Sequence, residues 1–459
     1  MAVVRALSRN ARHVAAISLI AYFLLLLSLI DIKPLWLDEV IQLQGTCETT
    51  FDTLTQHLFA NAGSAPLGYL AQHWLLSVAG CGTRAARFLS VIAGVCSLAL
   101  LGLIGTQLGL NRRVVFLSVF LWGVSPLAIR YSLEGRPYMQ GLFFALAAVL
   151  IQLRLERTND IRWAIVLAAS LSAAVFSQPF AVFAPAGFSL CSVLQSRSYR
   201  HAGLTGAAYG VAAMSFLPWL LAARSHWRDL AAQGQAGFSW SFSLLKVLIR
   251  EAVGDGYPAA VPAILLALTA AVTIAATSLR DRRMRLAAAA VSGIVLALIG
   301  DAAFNYFFAI RQVLYTVPFL LLLAGAGAAI LWRRGRYRIP SILLVGVFVV
   351  AAAAKNYTYL ANHAEDWNRL AARLSEEARG GCIVLPASER IWLYTFFRPE
   401  IARQICARDS SAARIVIPSH SYSDPRALRV AWDSALTKGM RQVSSKQVGF
   451  ATITVFGKR

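Results

Sequence analysis

Apolar stretches long enough to cross a lipid bilayer recur along the sequence as far as about residue 355. A helix needs roughly 20 mostly apolar residues to cross the hydrocarbon core. The pattern therefore predicts an α-helical polytopic membrane protein with about eleven transmembrane helices, followed by a small C-terminal α/β domain. The predicted spans lie near residues 13–30, 84–108, 114–130, 138–154, 162–178, 179–195, 203–223, 259–279, 286–305, 311–332 and 339–355.

Composition agrees with a bilayer environment. Of 459 residues, 58% are hydrophobic and 14% are charged, and the mean hydropathy is +0.58. The formal net charge is +22, but Lys and Arg occur in small clusters between apolar runs and not on one basic face or arm. This distribution argues against a nucleic-acid partner and is typical of topology signals. Some of the charge is suited to anionic lipid head groups.

The basic clusters also orient the chain. The run from Val14 to Ile30 follows basic residues, as in a signal peptide, but no small-residue cleavage site follows it, so we interpret it as a first transmembrane helix. With the N-terminus in the cytoplasm, every alternate loop is basic, as the positive-inside rule requires. The high content of Arg and Ala is typical of a multi-pass protein of a bacterial inner membrane. The segments then expected outside are 31–83, 134–137, 224–258 and everything after about residue 355.

We expect two domains: a transmembrane catalytic domain over 1–355, with its first external loop at 31–83, and an extracytoplasmic domain over 356–459. The tail has a helical pattern in DWNRLAARLSEEARG and strand-like runs in CIVLP, RIVIP and FATITVF. Cys47 and Cys81 share the external loop, and Cys382 and Cys406 share the tail. Each pair is either a disulfide or two free buried thiols.

The segment LWLDEV places two adjacent acids directly after the first span. Ionised carboxylates near hydrocarbon are costly and usually face a water-filled cavity or a cationic partner. Neighbours on a helix point about 100° apart, so Asp38 is taken as the catalytic acid and Glu39 as a residue that orients or pairs. The alternative is that both acids only stabilise the start of a helix.

A second segment, RYSLEGRPYMQ, forms a short turn between two apolar spans. Arg130, Glu134 and Arg136 should therefore lie near the membrane surface on the side of the first-loop acids. Pro137 suits the first turn of the next helix, and an arginine fixed in front of it suits a phosphate. The alternatives are that Glu134 and Arg136 pair only with each other, or that Arg136 neutralises Asp38.

Further arginines lie at the expected outer face. Arg311 begins a late span and is either a second phosphate ligand or a side chain that reaches the surface. Arg84 and Arg87 lie three residues apart on one helical face and suit an anionic ligand or lipid phosphates. The sequence contains no Cys and His spacing typical of a structural metal site, so no metal ligands are assigned and a requirement for a divalent metal stays open.

Taken in order, these motifs resemble the GT-C superfamily of polyprenyl-phosphate-sugar glycosyltransferases. The motifs are a first span ending in W-x-D-E, a PL-x-Y segment with a downstream R-x-x-S, and an E-x-RPY turn that contains Tyr138. The most similar branch includes protein O-mannosyltransferases, lipid A aminoarabinose transferases and RgtA/B/C/D-like transferases. The resemblance covers the first 160 residues and returns at Arg311 with Pro318.

The resemblance implies an inverting hexosyl or pentosyl transferase (EC 2.4) that acts at the outer membrane face. Its donor would be a polyprenyl-phosphate sugar and its acceptor a hydroxyl group of a glycan, lipid or protein; no further cofactor is implied. Asp38 matches the family's general base and Glu39 its acidic neighbour, while Arg136 and Arg311 match the ligands of the donor phosphate. The expected substrate-binding set is completed by Glu134, Tyr138, Arg84 and Arg87.

Two positions depart from the family's pattern. Gly68 stands where many relatives have an aromatic residue before the Tyr, and Gln312 follows Arg311 where Tyr is common. Both bear on the shape of the donor site. The loop at 231–242 is either a cover over the acceptor or a plain connector. A transporter or flippase for a lipid-linked glycan is the alternative function, although such proteins place ionisable residues near the middle of their spans. A non-catalytic scaffold of the cell envelope is a third.

Overall fold

The computed structural model describes residues 9–47, 50–60, 66–232, 281–304, 310–333, 335, 337–363, 365–387, 390–406, 412–420 and 423–458. The predicted span at 259–279 and nearly all of the loop at 231–242 lie outside these residues. The described chain divides into two compact units. The first unit is Met1–Ile30 with Glu48–Tyr359, and the second is Asp31–Cys47 with Leu360–Arg459.

The described part of the chain is mostly helical, with one small sheet near its C-terminus. The helices up to residue 232 are α1 (Arg9–Leu29), α2 (Leu37–Thr46), α3 (Phe51–Ala60), α4 (Pro66–Ala79), α5 (Thr83–Gln107), α6 (Arg112–Val124), α7 (Pro126–Ser132), α8 (Tyr138–Thr158), α9 (Ile161–Ser177), α10 (Phe183–Ser196) and α11 (Tyr199–Ala232). Those after residue 280 are α12 (Met284–Phe304), α13 (Val317–Arg333), α14 (Arg338–Ala361), α15 (Trp367–Glu377), α16 (Trp392–Thr395), α17 (Ile401–Gln404) and α18 (Pro425–Thr437). The strands are β1 (Cys382–Ile383), β2 (Arg414–His420), β3 (Met440–Val448) and β4 (Ala451–Lys458).

Several of these helices confirm that the chain is an integral membrane protein. Within the described residues, six are long and apolar enough to cross a membrane. The pair α6 and α7, bent by 56°, is a seventh if the two helices are counted as one span. Three further helices have apolar segments of 10–17 residues: His13–Leu29, Ile161–Ser177 and Met284–Gly300. The total of eleven spans therefore stays a prediction. The six are Thr83–Gln107, Tyr138–Thr158, Pro179–Ser196, Tyr199–Ala222, Leu314–Arg333 and Arg338–Ala361.

Helix α8 lies at the centre of the first unit. Its buried residues Met139, Leu142 and Leu146 belong to the main apolar core together with Trp122 of α6, which is fully buried. Close helix contacts depend on small residues: a Cβ at Gly325 of α13 would lie 2.3 Å from the Oγ of Ser118. In lipid, the hydrophobic effect contributes little to helix association. Membrane helices are therefore held together by close packing and by interhelical hydrogen bonds, and small residues permit that close approach.

The second unit contains the predicted α/β tail. The sheet order is β1-β2-β4-β3, with β1 parallel to β2 and the other neighbours antiparallel. Helix α15 confirms the helical pattern, and the side chain of Asp366 caps it by accepting from the backbone N–H of Arg369 at 2.9 Å. Cys382 and Cys406 form a disulfide, so the free-thiol alternative is wrong for this pair.

Residues 31–47 belong to this second unit, which also includes the tail. Helix α2 packs against α16, and the backbone N–H of Leu37 donates to Glu365 Oε1 at 2.8 Å. The same carboxylate oxygen accepts a hydrogen bond from Trp367 Nε1 at 3.0 Å. One glutamate of the tail thus fixes the start of the helix that carries the adjacent acids.

Candidate active site

Two predicted phosphate ligands border one aromatic ring in the first unit. The Cζ atoms of Arg136 and Arg311 each lie 5.8 Å from the centroid of the Tyr138 ring. Both distances fall within the range of a cation–π contact. The segments that carry the two arginines are far apart in sequence, and the fold brings them to the start of α8. That helix start presents backbone N–H groups and a positive dipole end, which adds to the attraction for an anion.

The turn that carries Arg136 is held by α4 and α5. Arg136 Nη1 donates to the hydroxyl of Tyr69 at 3.2 Å, and Ser90 Oγ donates to the Arg136 carbonyl at 3.1 Å. Gly68 lies against Pro137, where a built Cβ would come within 2.2 Å of the proline Cβ. The departure at Gly68 therefore has a steric reason, because this packing leaves no room for an aromatic side chain.

Glu134 is buried and accepts a hydrogen bond from Arg130 Nε at 2.9 Å, one turn earlier in sequence. The guanidinium of Arg130 also lies 5.5 Å from the ring centroid of Tyr131 and 6.0 Å from that of Tyr359. The hydrogen bond from its guanidinium to Glu134 fixes the side chain of Arg130 in place. This pair orders the turn in front of α8.

Aromatic residues that the sequence did not single out as ligands complete the surroundings of Tyr138. Its ring meets that of Tyr131 edge to face, with centroids 5.2 Å apart. Tyr315 is buried beside α8, where its hydroxyl would lie 3.3 Å from a Cβ at Gly141. Tyr69, the arginine's hydrogen-bond partner, is the Tyr of the PL-x-Y motif, so that motif was the available signal for it.

Arg84 and Arg87 differ in environment although both lie in the first turns of α5. Arg84 is exposed, whereas Arg87 is buried and donates from Nη1 to the carbonyl of Ile30 at 2.8 Å. That carbonyl lies just after the C-terminus of α1, where a cation is favourable. The contact gives Arg87 a structural role, and a substrate role for either arginine stays a prediction.

The adjacent acids lie in the first turn of α2, in the second unit. Glu39 is fully buried, and its Oε2 accepts from the backbone N–H of Trp36 at 3.3 Å, which closes the start of the helix. Asp38 is half-buried. Glu39 thus makes one contact that stabilises the start of the helix, as the alternative for both acids supposed. The catalytic role of Asp38 stays a prediction. Among the described residues, no three His, Cys, Asp or Glu side chains gather as they would around a metal ion.

Comparison with solved structures shows that this fold is known. The chain superposes on ArnT from Cupriavidus metallidurans bound to undecaprenyl phosphate with a TM-score of 0.64 and 10% identity, over 96% of this chain and 97% of that one. The apo form of the same protein gives 0.61 at 11% identity, over 97% and 98%. Arabinofuranosyltransferase AftD from Mycobacteria gives 0.52 at 15% identity, with 98% of this chain covering 42% of that one.

A sequence comparison supports the same class. The profile of the family described as dolichyl-phosphate-mannose-protein mannosyltransferase matches residues 63–221, which include Tyr69, Arg136 and Tyr138. A search of curated proteins finds no match.

The chain is thus an integral membrane protein with the GT-C glycosyltransferase fold. The resemblance to the GT-C superfamily that the sequence motifs indicated is confirmed by the family profile and by the shared fold with ArnT and AftD.

Proposed function

We propose that this protein transfers a sugar from a polyprenyl-phosphate donor to an acceptor hydroxyl, with inversion at the anomeric carbon, on the outer face of a bacterial inner membrane. The observation that carries the proposal is the pair Arg136 and Arg311 around Tyr138, in a fold shared with a protein solved with undecaprenyl phosphate bound. Two arginines at a helix start suit a monophosphate ester that carries negative charge.

In this mechanism the donor phosphate binds between the two guanidinium groups. As the bond between the anomeric carbon and the phosphate oxygen breaks, negative charge grows on the phosphate, and fixed cations stabilise this transition state more than the ground state. Tyr138 holds both cations by its ring face, so little reorganisation is needed.

The remaining step is activation of the acceptor. Asp38 is assigned as the general base that takes the hydroxyl proton, a role that rests on the resemblance to the family's W-x-D-E motif. Glu39 positions the first turn of α2 through its hydrogen bond to Trp36. Base assistance of this kind contributes roughly 10²–10⁴-fold to a rate. The acceptor is a hydroxyl of a glycan, lipid or protein.

The test supplies membranes containing wild type or Asp38→Asn at matched, folded levels with a panel of radiolabelled polyprenyl-phosphate sugars. We expect one donor to be consumed by wild type and the rate to fall roughly 10²-fold or more in the variant. An unimpaired variant would remove Asp38 as the base. If labelled lipid changes leaflet without loss of its sugar, the alternative function, a flippase for a lipid-linked glycan, replaces the transferase.

A further inference from the structure

A cleft lies at the opposite end of the first unit from Tyr138. There, helices α6, α13 and α14 and the loops beside them enclose a cleft of about 970 Å³. Ser90, which contacts Arg136, and Leu108, which lines the cleft, belong to the same helical run of α5 and its C-cap. Eighteen residues of helix separate them, which is roughly 27 Å. The cleft is therefore separate from the candidate phosphate site.

The cleft is amphipathic. Its wall is formed by apolar side chains that include Val114, Leu117 and Val345. Its rim carries arginines from three separate segments: Arg113 at the start of α6, Arg282 before α12 and Arg333 at the end of α13. Trp332, 44% exposed, lies on the same rim, as expected for an aromatic residue at a membrane–water interface.

The rim has a surplus of positive charge. Its acid, Asp281, pairs with Arg283 at 2.7 Å between Oδ2 and Nη2. Within the described part of the chain, Arg113, Arg282 and Arg333 form no ion pair. Arg113 and Arg282 are exposed. Three cations beside an apolar wall complement a molecule with a negatively charged head and a hydrocarbon body. A free phosphate ion would use the rim and leave the wall uncovered.

We propose that this cleft binds an anionic diacyl phospholipid of the bilayer. Its phosphate lies against the rim arginines, and an acyl chain packs along the wall formed by α6 and α14. The inference does not depend on the proposed transferase activity, since it uses neither Arg136 nor Arg311. A volume near the top of the 300–1,000 Å³ range of ordinary small-molecule pockets is large enough for part of such a lipid.

The test is native mass spectrometry of the full-length protein in a non-ionic detergent, titrated with phosphatidylglycerol. Wild type and the control Arg200→Gln, an exposed arginine at the start of α11 outside the cleft, are expected to bind equally. The double variant Arg113→Gln/Arg333→Gln should bind phosphatidylglycerol at least roughly ten-fold more weakly than wild type does. Wild type should bind phosphatidylcholine as weakly as the double variant binds phosphatidylglycerol. A melting temperature measured for each variant verifies folding.

Equal binding by the double variant and the control would overturn the proposal, as would phosphatidylcholine binding as tightly as phosphatidylglycerol. Displacement of the lipid by inorganic phosphate, or by polyprenyl phosphate at equal concentration, would assign the cleft to those ligands instead. If the double variant does not fold, Arg282→Gln changes one exposed residue before α12, and we expect it to weaken phosphatidylglycerol binding by about three-fold or more.

Discussion

At the scale of single residues, Tyr138 presents one aromatic ring to both Arg136 and Arg311. An arginine in a membrane protein is costly unless it meets an anion, a carbonyl or an aromatic face. The ring of Tyr138 gives both guanidinium groups a face within 6 Å and uses none of their N–H donors. Arg136 Nη1 also donates to the Tyr69 hydroxyl, and a planar fork of donors matches a phosphate better than an ammonium group does.

Arg311 is expected to contribute to the rate of sugar transfer. If it stabilises the departing phosphate, Arg311→Gln should lower kcat for sugar transfer by roughly 10²–10³-fold, the usual loss when one transition-state donor is removed. Arg311→Lys keeps the positive charge but loses the planar set of guanidinium N–H donors, so it should retain part of the transfer rate. Transfer kinetics with the donor found in the panel measure both, with Arg200→Gln as the control. A wild-type transfer rate in Arg311→Gln would contradict this role, and Arg311 would then be a side chain that only extends to the membrane surface.

At the scale of elements, the turn between α7 and α8 is positioned by its contact with α4. A Cβ at Gly68 would overlap Pro137, so Gly68→Ala must displace the turn that carries Arg136. We expect a cost of about 1–3 kcal/mol from overpacking and a raised KM for the donor. Melting temperature and transfer kinetics measure the two effects. Gly102→Ala is the matched control, because its Cβ would make only a 3.6 Å contact with Val119.

The start of helix α2 is positioned by a residue of the tail. Glu365 Oε1 accepts hydrogen bonds from the Leu37 N–H and the Trp367 indole, so this residue positions the turn that contains Asp38. Glu365→Ala should lower kcat by roughly ten-fold or more, since small displacements of a reacting group are expensive. Glu365→Gln keeps an acceptor oxygen and should recover most of the rate. A loss of melting temperature without any change in kcat would limit Glu365 to a structural role.

At the scale of the whole molecule, the C-terminal sheet and α15 are joined by Glu377. Its carboxylate accepts from Lys446 Nζ at 2.6 Å and from Arg414 Nη2 at 2.8 Å, which lie on β3 and β2. The hydrogen bond from Lys446, with the positive charges around it, lowers the pKa of Glu377 below its ordinary value although burial opposes this. The carboxyl group therefore releases its proton more readily in the folded tail than in the unfolded chain.

The sign of the pH effect follows from that lowered pKa. The stabilisation is fully present above the carboxyl's unfolded pKa and is lost as the pH falls through it toward the folded value. Glu377→Gln should therefore reduce hydrogen-exchange protection of β2 and β4 amides in the full-length protein by roughly ten-fold at pH 7. The difference from wild type should shrink toward pH 4. Glu376→Gln, at the exposed neighbour, should have little effect, and an equal loss there would contradict the role of Glu377.

Local patterns were enough for much of the architecture. The described apolar runs form helices because a long hydrophobic segment has one favourable state in a bilayer, whatever its neighbours are. The amphipathic pattern of DWNRLAARLSEE and the alternation in FATITVF likewise specify their own elements, α15 and β4. The bend between α6 and α7 was not predicted, since Ser125 and Pro126 lie inside the single span predicted at 114–130.

The membrane class, the helices and the order of the motifs follow from the amino-acid sequence alone, because hydropathy and helix periodicity are properties of short segments. Three contacts could be seen only in the folded chain: Arg136 and Arg311 lie at the ring of Tyr138, Gly68 packs against Pro137, and Glu365 accepts a hydrogen bond at the start of α2. Such contacts join residues tens to hundreds of positions apart. They depend on how whole helices pack, and the composition of a short segment does not specify that packing.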